Sequence, residues 1–150
     1  MSRLNRIRYK GGKREDLDNI YLRSGTEANF ARYLKFLKVK FQYESRTFLF
    51  PKIRRDNISY TPDFYLPKED RWVEVKGYFD PSSKTKLKRF KKYYPEQFEK
   101  LTVVVQDEWS ESKSAIEAMQ FLEKLGVPPA RIESYKEIDR KLGGLIPGWE

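Results

Sequence analysis

The segment YTPDFYLPKEDRWVEVKG, residues 60–77, contains the clearest structural pattern in the chain. It contains two runs that are rich in aromatic and β-branched residues, and the polar sequence Lys68-Glu69-Asp70 separates them. Pro67 ends the first run, because proline cannot donate a hydrogen bond to a neighbouring strand. We therefore predict a β-hairpin made of strands at about 58–66 and 71–77.

Two carboxylates of this hairpin are candidates for metal binding. Alternate side chains of a strand share a face, so Glu74 and Lys76 should point the same way while Val73 and Val75 point into the core. Ten residues separate Asp63 from Glu74, and a hairpin can bring two residues with this separation side by side. Converging carboxylates repel each other unless a cation joins them. We therefore expect a metal site formed by Asp63, Glu74 and the carbonyl of Val75.

Lys76 completes this candidate site, because its ammonium can contact an attacking water or a phosphate group. There it would orient the water and offset negative charge in the pentavalent transition state. The alternative is ordinary, since Glu-x-Lys is common on exposed strand faces and Asp is a common turn residue after Pro. The matching distance to Pro62-Asp63, the apolar residue before Lys76 and Gly77 after it favour catalysis.

The composition restricts the chemistry that this chain can perform. Its 150 residues include no cysteine and no histidine, which excludes disulfides, zinc fingers, thiol nucleophiles and catalytic imidazoles. Hydrolysis would depend on carboxylates, lysine, hydroxyls and a hard cation such as Mg²⁺. The formal net charge of +9 favours a polyanion such as nucleic acid as partner, although a basic protein without that role is the plain alternative.

Helices and strands alternate along the rest of the chain. Ser24 and Glu27 form a capping box, which predicts a helix from Ser24 to about residues 38–40. The further predicted elements are a strand at 41–50, a helix at 83–94, a strand at 100–105, a helix at 112–125 and a helix after Ser134. The order α-β-β-β-α-β-α-α predicts an α/β sandwich with a mixed sheet.

Glu27 has two interpretations. As the third residue of its helix it would cap the first turn together with Ser24. It also continues the stripe of Phe30, Leu34 and Leu37, which places it on the face turned to the sheet. A buried carboxylate there needs a partner, and a metal ion is one. The stripe favours this second interpretation.

Basic residues around the hairpin are candidates for contacts with phosphate groups. The helix predicted at 83–94 follows the strand of Glu74 and Lys76 directly, so it would lie near the metal site. A run of charges is more often a solvated helix face, and that alternative stays open. The candidates are Arg54, Arg55, Lys84, Lys86, Lys88, Arg89, Lys91 and Lys92.

The motifs together resemble the PD-(D/E)xK nuclease superfamily, and within it the phage endonuclease I family, whose members resolve four-way DNA (Holliday) junctions. The resemblance follows one order along the chain. Its main segments are residues 23–27, 40–44, 60–67 and 73–77, and its weaker ones are residues 121–126 and 145–149.

The resemblance implies a restriction-endonuclease-like α/β fold, with a mixed sheet flanked by helices, and metal-dependent cleavage of DNA. It implies catalytic roles for Asp63, Glu74, Lys76 and Glu27. It also implies two Mg²⁺ or Mn²⁺ ions per active site, held by Asp63, Glu74, Glu27 and Val75. Finally, it implies a homodimer that exchanges segments between its protomers and makes paired nicks in branched DNA.

One residue and one segment depart from the family pattern. Gln42 stands where the family has an acidic residue, so that role is absent or belongs to the neighbouring Glu44. Residues 128–143 have no clear counterpart in the family, so the sequence predicts little about their structure.

The domain organisation follows from charge and glycine content. Residues 1–22 are rich in Arg and Lys, and Gly11-Gly12 cannot hold a helix, so we expect a flexible, irregular basic arm. The arm would bind a phosphate backbone or have no function, and a single nuclease domain would span residues 23–150. No signal peptide or membrane-spanning stretch is visible, so we expect a cytoplasmic protein, in the host cytoplasm if a phage encodes it.

Three functions stay open on this evidence. The first is a structure-selective endonuclease for branched DNA. The second is a homing, restriction or transposon-end endonuclease that reads sequence with the same active-site chemistry. The third is a non-catalytic DNA-binding protein, and the intact set of Asp63, Glu74 and Lys76 argues against it.

Overall fold

The computed structural model describes residues 10–106 and 112–150, and within them the chain forms nine strands and five α-helices. The strands are β1 (Lys10–Arg14), β2 (Ile20–Ser24), β3 (Gln42–Tyr43), β4 (Phe48–Leu49), β5 (Ser59–Tyr60), β6 (Phe64–Leu66), β7 (Arg71–Lys76), β8 (Leu101–Val105) and β9 (Ile132–Ser134). The helices are α1 (Gly25–Phe36), α2 (Pro81–Tyr93), α3 (Pro95–Phe98), α4 (Lys113–Leu125) and α5 (Tyr135–Leu142). No helix in this part of the chain combines the length and the apolar character needed to cross a bilayer.

The elements form two compact units. The first contains the described residues up to Phe41 together with Glu137–Glu150, and the second contains those between Gln42 and Lys136. The second unit holds a five-stranded sheet in the order β3-β6-β7-β8-β9. Strand β6 pairs antiparallel with both β3 and β7, while β8 pairs in parallel with both β7 and β9. The predicted α/β fold, with a mixed sheet flanked by helices, is confirmed.

The core of the second unit lies between one face of this sheet and the helices α2 and α4. Its members include Trp72, Leu101, Val103 and Ile132 from the sheet, Leu87 and Phe90 from α2, and Phe121 and Leu122 from α4. All five residues of β8 are buried, which is typical of a parallel strand covered on both faces.

Both faces of β7 are covered as well. Val73 and Val75 are buried, as predicted. Trp72 lies on the same face as Glu74 and belongs to the core, and Glu74 is only 8% exposed, so the second face of the strand is buried too. Glu74 is therefore a buried carboxylate in a central strand, and burial without partners would be costly for its charge.

The strands predicted at 41–50 and 58–66 are each divided into two short strands. The first piece of the earlier run, β3, pairs with the second piece of the later run, β6. The second piece of the earlier run, β4, pairs with the first piece of the later run, β5, so β4 and β5 form a separate two-stranded sheet. Glu44 has a left-handed backbone (φ 48°), which turns the chain away after β3. Pro62 interrupts the other run between β5 and β6, because it lacks the N–H that a continuous strand would donate.

The region 128–143 contains one strand that the sequence did not predict. Strand β9 pairs in parallel with β8 at the edge of the sheet, with Val103 opposite Ile132. Its three residues are too few to produce a recognisable alternation of apolar and polar residues. The helix predicted after Ser134 is confirmed as α5.

The first unit begins with a hairpin, so the irregular backbone predicted for residues 10–22 was wrong. Strands β1 and β2 pair antiparallel, with Lys13 opposite Tyr21, and Leu22 is buried. The glycines that exclude a helix suit this strand, since a Cβ on Gly11 would lie 2.8 Å from the Tyr21 hydroxyl oxygen. Residues 1–9 of the predicted arm lie outside the described residues, and a domain boundary after residue 22 stays a prediction.

Helix α1 begins as predicted but ends earlier. The Ser24 side chain accepts a hydrogen bond from the backbone N–H of Glu27 at 3.1 Å, which confirms the N-cap. Phe30 and Leu34 are buried, but Leu37 is 47% exposed and lies beyond the helix end at Phe36. The apolar stripe is therefore one turn shorter than expected.

A network of ion pairs holds the C-terminal residue against α1 and β1. Arg32, which is 6% exposed, donates two hydrogen bonds to Asp16 and one to Glu150 at 2.9 Å. Arg14 donates to both carboxylate oxygens of Glu150 at 2.8 and 3.0 Å. The Asn29 side chain exchanges two further hydrogen bonds with the main chain of Glu150. The first unit is thus fixed by charged groups as well as by its small apolar core.

The same network lowers the pKa of both carboxyl groups. For Asp16 the hydrogen bond from Arg32 is the main cause of the lower pKa. For Glu150 burial alone would raise the pKa, but the hydrogen bonds and charges of Arg14 and Arg32 outweigh it and lower the pKa. The network therefore stabilises the fold above about pH 4, and this contribution disappears as the pH falls through the lowered pKa values.

We predict that Arg32→Leu lowers the free energy of unfolding by about 1–3 kcal/mol at pH 7, because charged hydrogen bonds of a buried guanidinium are lost. The difference from wild type should shrink at pH 2, because a smaller fraction of Asp16 and Glu150 stays ionised and paired with Arg32 as the pH falls. Urea unfolding at the two pH values measures this. Arg140→Leu, which removes an exposed pair with Glu137, should change stability little at either pH. A difference for Arg32→Leu that is equally large at pH 2 would contradict the assignment.

Candidate active site

Asp63 and Glu74 lie opposite each other on neighbouring strands. In the antiparallel pairing of β6 with β7, Phe64 lies opposite Val73 and Tyr65 opposite Trp72. The same register, continued by one residue, sets Asp63 opposite Glu74. The structure thus brings together the two carboxylates that the ten-residue separation predicted to meet.

The Asp63 carboxylate is fixed against β7 by a backbone donor. Its Oδ2 accepts a hydrogen bond from the N–H of Val75 at 2.7 Å. Its main-chain carbonyl accepts another from the N–H of Glu44 at 2.8 Å, which ties Asp63 to the end of β3. A half-buried aspartate held at both its main chain and its side chain has few conformations available. The predicted role of the Val75 carbonyl as a metal ligand stays a prediction.

The Glu74 carboxylate is held by Tyr60, a residue that the sequence analysis did not select. The Tyr60 hydroxyl donates a hydrogen bond of 2.6 Å to Glu74 Oε2, and Tyr60 is only 5% exposed. Burial raises the pKa of Tyr60 well above its usual value, and the negative charges of Glu74 and Asp63 raise it further. The phenol therefore stays protonated at neutral pH and can donate to Glu74, and the negative charges of both carboxylates favour this protonated form.

Only the tertiary structure distinguishes Tyr60 from an ordinary core aromatic residue. Its ring packs 4.9 Å from that of Phe90, as a buried tyrosine in any β-strand would. The available signal is its place at the start of the segment quoted above, three residues before Asp63. That signal does not predict where the hydroxyl group points.

Lys76 is the last residue of β7 and lies on the same face as Glu74, half-buried. Its position is close to the start of α2, where Asp80 caps the helix by accepting a hydrogen bond from the N–H of Ser83. That hydrogen bond lowers the pKa of Asp80 most, and the charges of Lys76 and Lys86 lower it further. A cation therefore lies at the end of β7, two residues beyond the buried carboxylate.

Glu27 belongs to the first unit, whereas Asp63, Glu74 and Lys76 belong to the second. It is half-buried in the first turn of α1, and its backbone N–H is the group that Ser24 caps. The capping interpretation is thus supported for its backbone. Its predicted roles in catalysis and metal binding stay predictions.

The donor set of the second unit suits a hard divalent cation. Asp63 and Glu74 offer carboxylate oxygens from facing strand positions, which are the ligands that Mg²⁺ and Mn²⁺ prefer. Within residues 10–106 and 112–150, no group of three or more acidic side chains converges on one point. The fit therefore rests on this pair of carboxylates.

The structure gives the eight predicted DNA contacts different surroundings. Arg89 donates to the main-chain carbonyls of Asp56 and Asn57, so it holds the loop before β5 in place. Arg54 and Arg55 are exposed in that loop. On α2, Lys84, Lys88 and Lys91 line a groove, whereas Lys86 and Lys92 do not. Whether any of them contacts DNA stays a prediction.

A family comparison identifies the class of protein that carries this site. The family model for phage endonuclease I matches residues 9–128, which is most of the chain. The chain belongs to the phage endonuclease I family. It is therefore an endonuclease, and DNA is its class of substrate.

The match to phage endonuclease I contains Glu27, Asp63, Glu74 and Lys76. It ends at residue 128, where the segment without a clear counterpart in the family, residues 128–143, begins. Membership of the wider PD-(D/E)xK superfamily stays a prediction. No curated protein sequence matches the chain significantly.

We predict that Tyr60→Phe slows DNA cleavage about 10- to 100-fold and raises the Mg²⁺ concentration needed for half-maximal rate, because Glu74 loses the donor that orients it. The ring stays in the core, so the free energy of unfolding should fall by only about 1 kcal/mol. Nicking of supercoiled plasmid across a Mg²⁺ titration measures both effects on cleavage.

The matched control for this prediction is Tyr94→Phe. The Tyr94 hydroxyl donates to the carbonyl of Leu49 at 2.6 Å and does not contact a carboxylate. This variant should cut with the wild-type rate and the wild-type Mg²⁺ requirement. An equal loss in both variants, or no loss in Tyr60→Phe, would show that the hydroxyl of Tyr60 does not position Glu74.

Proposed function

We propose that this endonuclease resolves branched DNA, four-way (Holliday) junctions above all, by metal-dependent hydrolysis of phosphodiester bonds at Asp63, Glu74 and Lys76. One observation carries the proposal. Two carboxylates face each other across β6 and β7, and a lysine follows on the same strand face, in a chain of the phage endonuclease I family. The alternative is a homing, restriction or transposon-end endonuclease that reads sequence.

Asp63 and Glu74 would hold the metal, with Glu27 and the carbonyl of Val75 as further ligands of two ions. A bound Mg²⁺ or Mn²⁺ supplies Lewis-acid polarisation of the phosphate group. The protein contributes orientation, because the N–H of Val75 and the hydroxyl of Tyr60 hold the two carboxylates before any ligand arrives. Such preorganisation avoids the energetic cost of arranging charges during the reaction.

Lys76 would act on the reacting phosphate itself. Its ammonium can hydrogen-bond to the attacking water and to a non-bridging oxygen, so that it orients one and offsets charge on the other. The chain contains no histidine that could take the role of general base. Lys76 is therefore the residue on this strand face that we expect to hydrogen-bond to the attacking water.

Resolution by paired nicks needs two active sites, so the proposal includes a homodimer with one site in each protomer. The hairpin of β4 and β5 presents two exposed apolar side chains, those of Leu49 and Ile58. These side chains are candidates for contact with a second copy, since clustered apolar groups on a surface favour association.

We predict that the protein with Mg²⁺ cuts an immobile four-way junction at least tenfold faster than linear duplexes made from the same arms. The reason is that a structure-selective enzyme gains binding energy from the branch, which the duplexes lack. Single-turnover rates on the labelled substrates measure this ratio. Equal rates on both would contradict junction selectivity, and cleavage at one fixed sequence in a long linear DNA would favour the alternative.

A further inference from the structure

A groove of about 570 Å³ lies between α2 and α4 in the second unit. Three lysines of α2 and one of α4 line it, namely Lys84, Lys88, Lys91 and Lys124. The α2 lysines share one face because they are spaced by four and then three residues. Phe121 of α4 provides an apolar wall, and Lys84 Nζ lies 5.7 Å from its ring centroid. The groove is thus a defined cavity whose cationic groups are lysines from both walls.

The positive charge in this groove is largely uncompensated. Among the described residues, no carboxylate lies within ion-pair distance of Lys84, Lys88 or Lys124, and Lys91 donates to the carbonyl of Leu125 at 2.5 Å. Glu117 is the acidic residue in the lining, and its carboxylate is 4.0 Å from Lys113. Four ammonium groups around one cavity repel each other, so an anion bound between them would relieve the repulsion.

The arrangement of the lysines fits an extended anion better than a compact one. Lys91 follows Lys84 by seven positions, which corresponds to about 10 Å along the helix axis. Phosphate groups along one strand of duplex DNA advance by about 3.4 Å of helix axis each, so the row spans about three of them. Lysine acts as a point charge without the planar fork that reads base edges, so such contacts are independent of sequence.

We infer that the groove between α2 and α4 binds the phosphate backbone of the DNA substrate, in addition to the site at Asp63 and Glu74. This inference rests on the proposed nuclease function, and it adds a binding wall on α4 that contains Lys124. Helix α2 begins five residues after Lys76, so the backbone held in the groove would be a segment flanking the scissile phosphate. The lysines of α2 that lie outside the groove, Lys86 and Lys92, would contribute less.

The test compares two double variants that remove the same charge. Lys84→Gln/Lys124→Gln takes one lysine from each wall of the groove. Lys68→Gln/Lys136→Gln, the control, takes two exposed lysines from outside the groove, at the β6–β7 turn and at the start of α5. Fluorescence anisotropy of a labelled four-way junction, in Ca²⁺ to prevent cleavage, gives the dissociation constant at several salt concentrations.

We predict that the groove variant binds the junction about 10- to 100-fold more weakly at 0.1 M salt. The slope of log K against log[salt] should become shallower by about 1.8, or roughly 0.9 for each lost phosphate contact. The control slope should equal that of wild type. Glu117→Gln should shift affinity in the opposite direction, because it removes the negative charge from the lining.

The outcomes separate this inference from the function on which it rests. A groove variant with the wild-type slope, or a control with an equal loss, would overturn the groove site while wild-type cleavage left the nuclease proposal intact. A wild-type protein that neither binds nor cuts DNA would overturn both. Circular dichroism melting of each variant distinguishes a lost contact from a lost fold.

Discussion

The repulsion between Asp63 and Glu74 is the constraint around which the second unit is arranged. The two carboxylates occupy facing positions in a hairpin, and one of them is almost completely buried in a central strand. Burial of a charge in such a place is stable only when donors and counter-charges surround it. The structure supplies an amide N–H to Asp63, a phenol to Glu74 and an ammonium at the end of the same strand. A site of this kind tolerates its charges, as the proposed metal binding requires.

The core of the second unit determines where those donors lie. Phe90 of α2 packs its ring 4.9 Å from the rings of both Phe48 and Tyr60, and so joins the β4–β5 hairpin to the helix. This packing places the hydroxyl of Tyr60 against Glu74 in β7. The apolar core and the charged site therefore depend on each other, because a shift of the hairpin would remove the donor from the buried carboxylate. Helix α2 also carries the lysines of the groove, so one element connects the core, the site and the inferred contact with DNA.

The sequence predicted those features that local pattern determines. The hairpin around residues 60–77, the facing positions of Asp63 and Glu74, and the capping of α1 by Ser24 all follow from spacing and turn chemistry. What it did not predict depends on distant parts of the chain. Strand β9 forms only because β8 offers an edge, and the hairpin of residues 10–24 forms where charge and glycine content suggested an irregular arm.

In the candidate site, too, local pattern identifies some residues, and only contacts with distant parts of the chain identify the others. Asp63, Glu74 and Lys76 stand out because of their spacing and their flanking residues Pro62 and Gly77, whereas Tyr60 and Lys124 look ordinary until their neighbours are known. The hydroxyl of Tyr60 matters through Glu74, fourteen residues away, and Lys124 matters through lysines on another helix. Burial of Trp72 and Glu74 on the second face of β7 was not predicted, because alternation in a strand predicts one buried face and β7 has two.

The most direct test of the account is the single-turnover rate of junction cleavage in Mg²⁺ by Asp63→Asn, Glu74→Gln and Lys76→Ala. Asp70→Asn serves as control, since Asp70 is an aspartate of the same hairpin that pairs with Lys100 at its exposed turn. We expect each of the three variants to lose cleavage at least hundredfold while still binding the junction, and the control to cut normally. Wild-type cleavage by Lys76→Ala, or by either carboxylate variant, would contradict the assignment of the active site.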